Sequence, residues 1–181
     1  MENSKNDFDS FLSYLKEACE SVDDSYIEFN IAGSDWKYRE RVYCYELYHQ
    51  LRCVLGESFP YKLNGEVDKA GHAIVLGKKK PDFIVHVPGE MDKNLVVVEV
   101  KLATAIKDEF KKLREDLEKL KRFLNEANYK NAIMLIYGNI EKDLLRKIKD
   151  EFKNIKIEKE EQMLLILHQK CGEEPIIIFN K

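Results

Sequence analysis

No stretch of the 181-residue chain approaches the roughly 20 consecutive apolar residues of a bilayer-crossing helix, so a membrane-embedded protein is not expected. The opening residues, MENSKNDFDSFL, lack the basic start and long apolar stretch of a secretion signal. Cysteine is sparse and scattered: Cys19, Cys44, Cys53 and Cys171 show no C-x-x-C spacing, which argues against a disulfide framework or a zinc ribbon. A reduced, cytoplasmic setting is the expectation. No glycine-rich phosphate loop and no Ser-His nucleophile arrangement is present, which weakens ATPase and acyl-transfer readings. Repeats, low-complexity tracts and Pro/Gly/Ser linkers are also missing, so residues 1–181 are expected to form a single domain. Neither charge sign dominates. Thirty Lys and Arg stand against 33 Asp and Glu, a net charge of −3, which excludes a basic whole-surface nucleic-acid binder but not a local stripe of Lys and Arg.

What is present is enough for a core. Hydrophobic residues make up 44% and charged residues 35% of the chain, a balance unlike that of disordered proteins. Apolar spacing predicts a helix over 7–21, with Asp7 as a candidate cap, and a second from Ser34 or Asp35 to Leu55, stopped by Gly56. A short strand over Tyr26–Ile31 lies between them. Period-two patterning then predicts strands over Tyr61–Val67 and Asp82–Val87, with a turn at Lys69–Gly71 and a return at Ala73–Leu76. Leu95–Leu102 (LVVVEVKL) is apolar on both faces over its first half, as a central strand is. A long helix over 104–127, a strand over Ala132–Tyr137, a helix over Glu141–Phe152 and strands over Met163–His168 and Ile176–Phe179 complete the series. Ile155–Ile157 reads as a further edge piece. This order predicts an α/β fold on a mixed central sheet.

Charges stand out where the pattern calls for apolar residues. Glu99 and Lys101 are two apart on the Val-rich strand, so they share a face. A buried charge costs several kcal/mol unless it is paired or metal-bound. Asp82 opens the preceding strand, and the loop of about seven residues after Val87 permits an antiparallel hairpin. A hard cation between Asp82 and Glu99 would neutralise both, leaving Lys101 to meet an activated water or a phosphate. The register remains open. If Val87 opposes Leu95, Asp82 faces Val100 and points away from Glu99; an odd sum of paired residue numbers, or a bulge, is needed to bring the two acids together.

Pro81-Asp82 followed by Glu99-Val100-Lys101 resembles the signature of the PD-(D/E)xK nuclease superfamily, with its restriction-endonuclease-like fold. That family's core of helix, three-stranded meander, helix and strand corresponds to residues 35–137, with the N-terminal helix 7–21 and residues 141–181 as additions. The resemblance implies that Asp82 and Glu99 hold Mg²⁺, with Mn²⁺ as a substitute. It further implies that the Val100 carbonyl completes the site and that Lys101 orients or activates the attacking water.

Many members add an acid from the first core helix. Projection at 100° per residue places Glu40 inside the apolar stripe of Trp36, Tyr43, Leu47, Leu51 and Val54, and Glu46 on its flank. Glu40-Arg41 is also similar to the opening of this helix in archaeal Holliday-junction resolvases. Glu40 is therefore the expected additional acid, with Glu46 second and Glu66, at a strand end, as a further possibility. Lys78, Lys79 and Lys80, just before Pro81, form the candidate phosphate-binding cluster. Lys107, Lys111 and Lys112 share their helix with Asp108, Glu109, Glu115, Asp116, Glu118 and Glu126, the usual mixture of a solvated face. His49, His72, His86 and His168 lack metal-ligand spacing. Tyr43 reads as core, and Tyr45 and Tyr48 as candidates for a subunit interface.

The expected activity is Mg²⁺-dependent hydrolysis of phosphodiester bonds by an endonuclease or exonuclease, on DNA in preference to RNA, with a homodimer as one way to span a duplex. The alternative is a catalytically inactive nucleic-acid-binding or assembly module that keeps the fold.

Overall fold

The apolar strands lie side by side in one sheet, and their sequence order is also their spatial order. The computed structural model describes residues 2–28, 38–65, 80–157 and 162–181. The strands are β1 (Lys62–Gly65), β2 (Phe83–His86), β3 (Asn94–Leu102), β4 (Tyr129–Tyr137), β5 (Gln162–His168) and β6 (Ile176–Asn180). β1, β2 and β3 form an antiparallel meander. β3, β4 and β5 run parallel, and β6 returns antiparallel along β5. Parallel neighbours require crossovers, and helices supply them. α4 (Ala103–Asp108) and α5 (Phe110–Ala127) link β3 to β4, and α6 (Lys142–Asn154) links β4 to β5. Among the described residues the protein is mixed α/β, a six-stranded mixed sheet flanked by helices.

Alternation along β3 decides which face each helix covers. Val96, Val98, Val100 and Leu102 pack with α1 (Glu2–Glu20) and α3 (Glu40–Leu55), where Phe11, Leu15, Tyr43, Leu47 and Leu51 are buried. Val97 faces the other way, into Leu113, Leu117, Leu120 and Leu124 of α5 and Ile148 and Phe152 of α6. Each such side chain, taken fully out of water, contributes about 1.5–3 kcal/mol. β3 is covered on both sides, which is why its first half shows no polar alternation.

Several boundaries differ from the sequence expectation. The first helix begins at Glu2, so Asp7 is internal and its carboxylate accepts a hydrogen bond from the Tyr61 hydroxyl (2.9 Å) instead of capping. Asp24–Ile27 form a short helix, α2, capped by Asp23, where the start of a strand over Tyr26–Ile31 was expected; residues 29–31 lie outside the described residues. The long helix over 104–127 is broken at Glu109 (φ −135°, ψ 65°) into α4 and α5, although no proline or glycine marks the break. Ile155–Ile157 form no strand. Ile155 is simply buried at the end of α6. Gly56 stops α3 as expected, with the positive φ (62°) that glycine adopts without strain. The expected start of α3 at Ser34 or Asp35, the rest of the strand after Gly65, the turn at 69–71 and the return at 73–76 lie outside the described residues. No helix among the described residues is long and apolar enough to cross a membrane.

The C-terminal end of α5 is tied to the start of β3 by one side chain. Buried Asn94 donates from Nδ2 to the Ala127 carbonyl (2.6 Å). Asn94→Ala strips that carbonyl of its donor, and urea denaturation should show a loss of about 1–3 kcal/mol. An unchanged midpoint would mean that the bond contributes nothing to holding α5 on the sheet.

Candidate functional site

Register determines whether Asp82 and Glu99 can meet. In β2 and β3, Phe83 pairs with Val98, Ile84 with Val97 and Val85 with Val96, an odd sum of 181. Beside the turn, His86 pairs with Asn94, so Leu95 is the extra residue of a bulge. The even register is therefore confined to the turn end. Continued by one residue, the odd register sets Asp82 opposite Glu99, and directly opposed side chains share a face. Asp82 Oδ2 also accepts a hydrogen bond from the Val100 amide (2.8 Å), which anchors the acid across the strand pair.

Glu99 and Lys101 lie on the α5 face of β3, one and two pleats beyond Val97. Glu99 is 3% exposed, and its Oε1 accepts from Lys119 Nζ at 2.6 Å. Lys119 also meets Asp116 Oδ1 (3.1 Å) and the Lys80 carbonyl (3.3 Å). Lys101 Nζ lies 3.2 Å from Asp116 Oδ2, 3.3 Å from Glu40 Oε1 and 3.8 Å from Glu99 Oε1. Glu40, the first residue of α3, accepts from the Leu102 amide through Oε2 (3.3 Å). It thus approaches the carboxyl end of β3 from the helix layer opposite α5.

Four carboxylates, Glu40, Asp82, Glu99 and Asp116, share two ammonium groups, Lys101 and Lys119. Fully ionised, the group carries two negative charges in excess. Among the described residues, buried Glu99 Oε2 has no hydrogen-bond partner, a costly state for a carboxylate oxygen. Burial pushes Glu99 well above the usual carboxylate range, and Asp82 pushes it further against the pull of Lys119. Asp82 rises from 3.8 to about 6, chiefly by burial; the Val100 amide and both lysines oppose this, and Glu40 reinforces it. Burial alone would lower Lys101, but Glu40, Asp116, Glu99 and Asp82 outweigh it and hold the ammonium charged. Lys119 behaves in the same way through Glu99 and Asp116.

Glu40, Asp82, Glu99, Val100 and Lys101 are thus brought together. Glu46 is not: it accepts from Gln50 on the flank of α3, at 2.6 Å. Glu66, Lys78, Lys79 and His72 lie outside the described residues. Lys80 is exposed, and its carbonyl accepts from Lys119 of the cluster. Lys107, Lys111 and Lys112 pair at the surface with Glu141, Glu115 and Glu109, as a solvated face does. Asp116 departs from that face and belongs to the cluster. Lys119, buried at 9% exposure, is the other residue that sequence reasoning missed. Both stand on the flank of the α5 stripe, and their i,i+3 spacing resembles that of the exposed pairs around them.

The described histidines, His49, His86 and His168, form hydrogen bonds elsewhere. His86 Nε2 meets Asn64 Oδ1 (3.0 Å), and exposed His49 faces Cys53. His168 is buried, with Nδ1 2.8 Å from the Tyr43 hydroxyl, and burial lowers its pKa. Tyr43 stacks on Tyr137 at 3.9 Å in the core. Tyr48 donates to the Leu63 carbonyl (3.2 Å) and so is engaged within the chain, whereas Tyr45 is exposed.

Among the described residues, no group of three or more His, Cys, Asp or Glu side chains forms a ready-made metal cage. The acids are interleaved with lysines. No family model, curated protein or solved structure matches the chain.

A raised carboxyl pKa has a definite consequence for the metal-free protein. The folded state binds the Asp82 proton more tightly than the unfolded state does, so ionising Asp82 costs stability. Stability from this group is present at low pH and declines as pH rises from 3.8 towards about 6. Asp82→Asn should flatten that part of a profile of melting temperature against pH. An identical decline in the variant would assign it to other groups.

Proposed function

We propose that the protein is a divalent-metal-dependent nuclease of the PD-(D/E)xK type, with a restriction-endonuclease-like core, hydrolysing phosphodiester bonds in DNA in preference to RNA. The observation that carries this reading is the odd register of the β2–β3 pair, which continued by one residue opposes Asp82 to Glu99, with buried Glu99 Oε2 lacking a hydrogen-bond partner among the described residues. Element order supports it: α3, the meander β1–β2–β3, α4 with α5, then β4 beside β3. β5, β6 and α6 would be additions to that core.

The donor set suits a hard cation, because Asp82, Glu99 and the Val100 carbonyl offer only oxygen. These residues would hold Mg²⁺ or Mn²⁺. Such an ion, when bound, supplies a water of lowered pKa and offsets charge on the phosphate. The chain's own part is to place charge. Glu40 and Asp116 fix Lys101 Nζ from two sides. From there the ammonium can donate to the attacking water or to a phosphate oxygen without being a metal ligand. Asp82 and Glu99 must both give up their protons for this arrangement, and their burial makes that unfavourable until a cation replaces the protons.

A second reading is a catalytically inactive nucleic-acid-binding or assembly module on the same fold. It is favoured by the 2.6 Å bond from Lys119 to Glu99, which already neutralises one acid without metal.

Isothermal titration with Mn²⁺ should show binding that Asp82→Ala and Glu99→Ala each abolish. Lys101→Met keeps the aliphatic stem and deletes the charge. Assayed well below its melting temperature, it should retain Mn²⁺ yet cleave DNA at least roughly a hundredfold more slowly. Because Lys101 compensates three carboxylates, the variant should also melt lower than wild type without metal. A wild-type protein that binds no Mn²⁺ and cleaves no single-stranded, duplex or branched DNA, and no RNA, would leave the module reading in its place.

A further inference from the structure

Lys119 is the most deeply buried cation of the cluster, and its placement is unlike that of the other α5 lysines. Lys111, Lys112 and Lys121 are 88%, 65% and 30% exposed in their side chains and pair with acids on their own helix or its cap. The Lys119 side chain is 9% exposed and reaches from α5 to β3 to meet Glu99. A buried lysine requires full compensation, and three acceptors provide it: Glu99 Oε1, Asp116 Oδ1 and the Lys80 carbonyl.

These acceptors are unequal in kind. Asp116 and the Lys80 carbonyl are not among the proposed metal-holding groups, whereas Glu99 is. Lys119 could therefore release Glu99 and remain bonded to the other two. The Lys80 carbonyl is two residues before Asp82, so the same ammonium touches the chain that carries the second acid. Lys101 is placed differently. It stands 3.8 Å from Glu99, too far for a good hydrogen bond, and its closer partners are Asp116 and Glu40.

We propose that Lys119 is a resident counter-cation that occupies Glu99 in the metal-free protein and must release it when a divalent metal loads, so that Lys119 sets the metal affinity of the site. The inference rests on the nuclease reading and adds to it a residue that touches neither water nor substrate. Lys119 is a positioning residue. Without metal it holds Glu99 in place, and in the presence of metal it competes. Removing its charge takes the cluster from two to three excess negative charges and removes the competitor at once. Both effects favour a divalent cation.

Mn²⁺ titration of Lys119→Met, compared with wild type and accompanied by melting curves with and without Mn²⁺, tests this. The variant should melt lower than wild type without metal, since Glu99 loses its partner, and should recover a larger shift on saturation. Its affinity for Mn²⁺ should be tighter by at least roughly tenfold, the effect of one nearby charge in partly screened surroundings. Lys119→Gln, which keeps a donor for Asp116, serves the same comparison if the Met variant does not fold. Unchanged or weaker Mn²⁺ affinity in a folded variant, with wild type binding normally, overturns the role of Lys119 and leaves the nuclease reading standing. Absence of binding in wild type and variant alike overturns both. Binding by the variant alone supports the inference, with Lys119 as the group that closes the wild-type site.

Discussion

Two carboxylates, buried Glu99 within β3 and half-buried Asp82 immediately before β2, are the arrangement around which the rest of this structure is organised. Glu99 sits in a strand whose other residues are almost all apolar, and Asp82 is set opposite it by a register of 181. Two such like charges are unfavourable, Glu40 and Asp116 add to that cost, and a backbone amide and two lysines reduce it. The Val100 amide bonds to Asp82, Lys119 bonds to Glu99, and Lys101 bridges Asp116, Glu40 and Glu99. Among the described residues the compensation is incomplete, because four acids face two lysines and one oxygen of Glu99 has no hydrogen-bond partner.

The fold supplies these groups from four separate segments. β3 and the residue immediately before β2 bring the opposed acids, α3 brings Glu40 from one helix layer, and α5 brings Asp116 and Lys119 from the other. The break at Glu109 separates α4, which directly follows β3, from α5, which carries Asp116 and Lys119. Ala103 and Ile106 keep α4 against the core. The site lies at the carboxyl end of β3, where a parallel sheet commonly opens towards a ligand.

Much of this was legible from residue order. A strand reading LVVVEVKL announces itself as buried, and two charges inside it had to be compensated. The apolar stripe of α3 likewise pointed Glu40 towards the sheet. What stayed hidden had physical causes. The register depended on a bulge at Leu95, and a Leu between Asn and Val carries no mark of being unpaired. The helix break fell at Asp108-Glu109-Phe110, where neither proline nor glycine signals a stop. Asp116 and Lys119 were masked by their surroundings, since α5 is dense with i,i+3 and i,i+4 ion pairs that look alike in sequence. Only the approach of α5 to β3 separates the buried pair from the exposed ones. Glu46 misled for the opposite reason: a flank position on a helix is compatible with the site, but its neighbour Gln50 satisfied it locally.

The claim that matters most is that Asp82 and Glu99 form one cation-binding pair and are more than two acids neutralised by lysines. Crystals grown without metal and soaked in Mn²⁺ test it directly, because anomalous scattering locates the ion independently of any assumption about activity. The account expects a single strong peak between the Asp82 and Glu99 carboxylates, with Lys119 withdrawn from Glu99 onto Asp116 and the Lys80 carbonyl. A peak elsewhere, or no peak at saturating Mn²⁺ with Lys119 still bonded to Glu99, would contradict it.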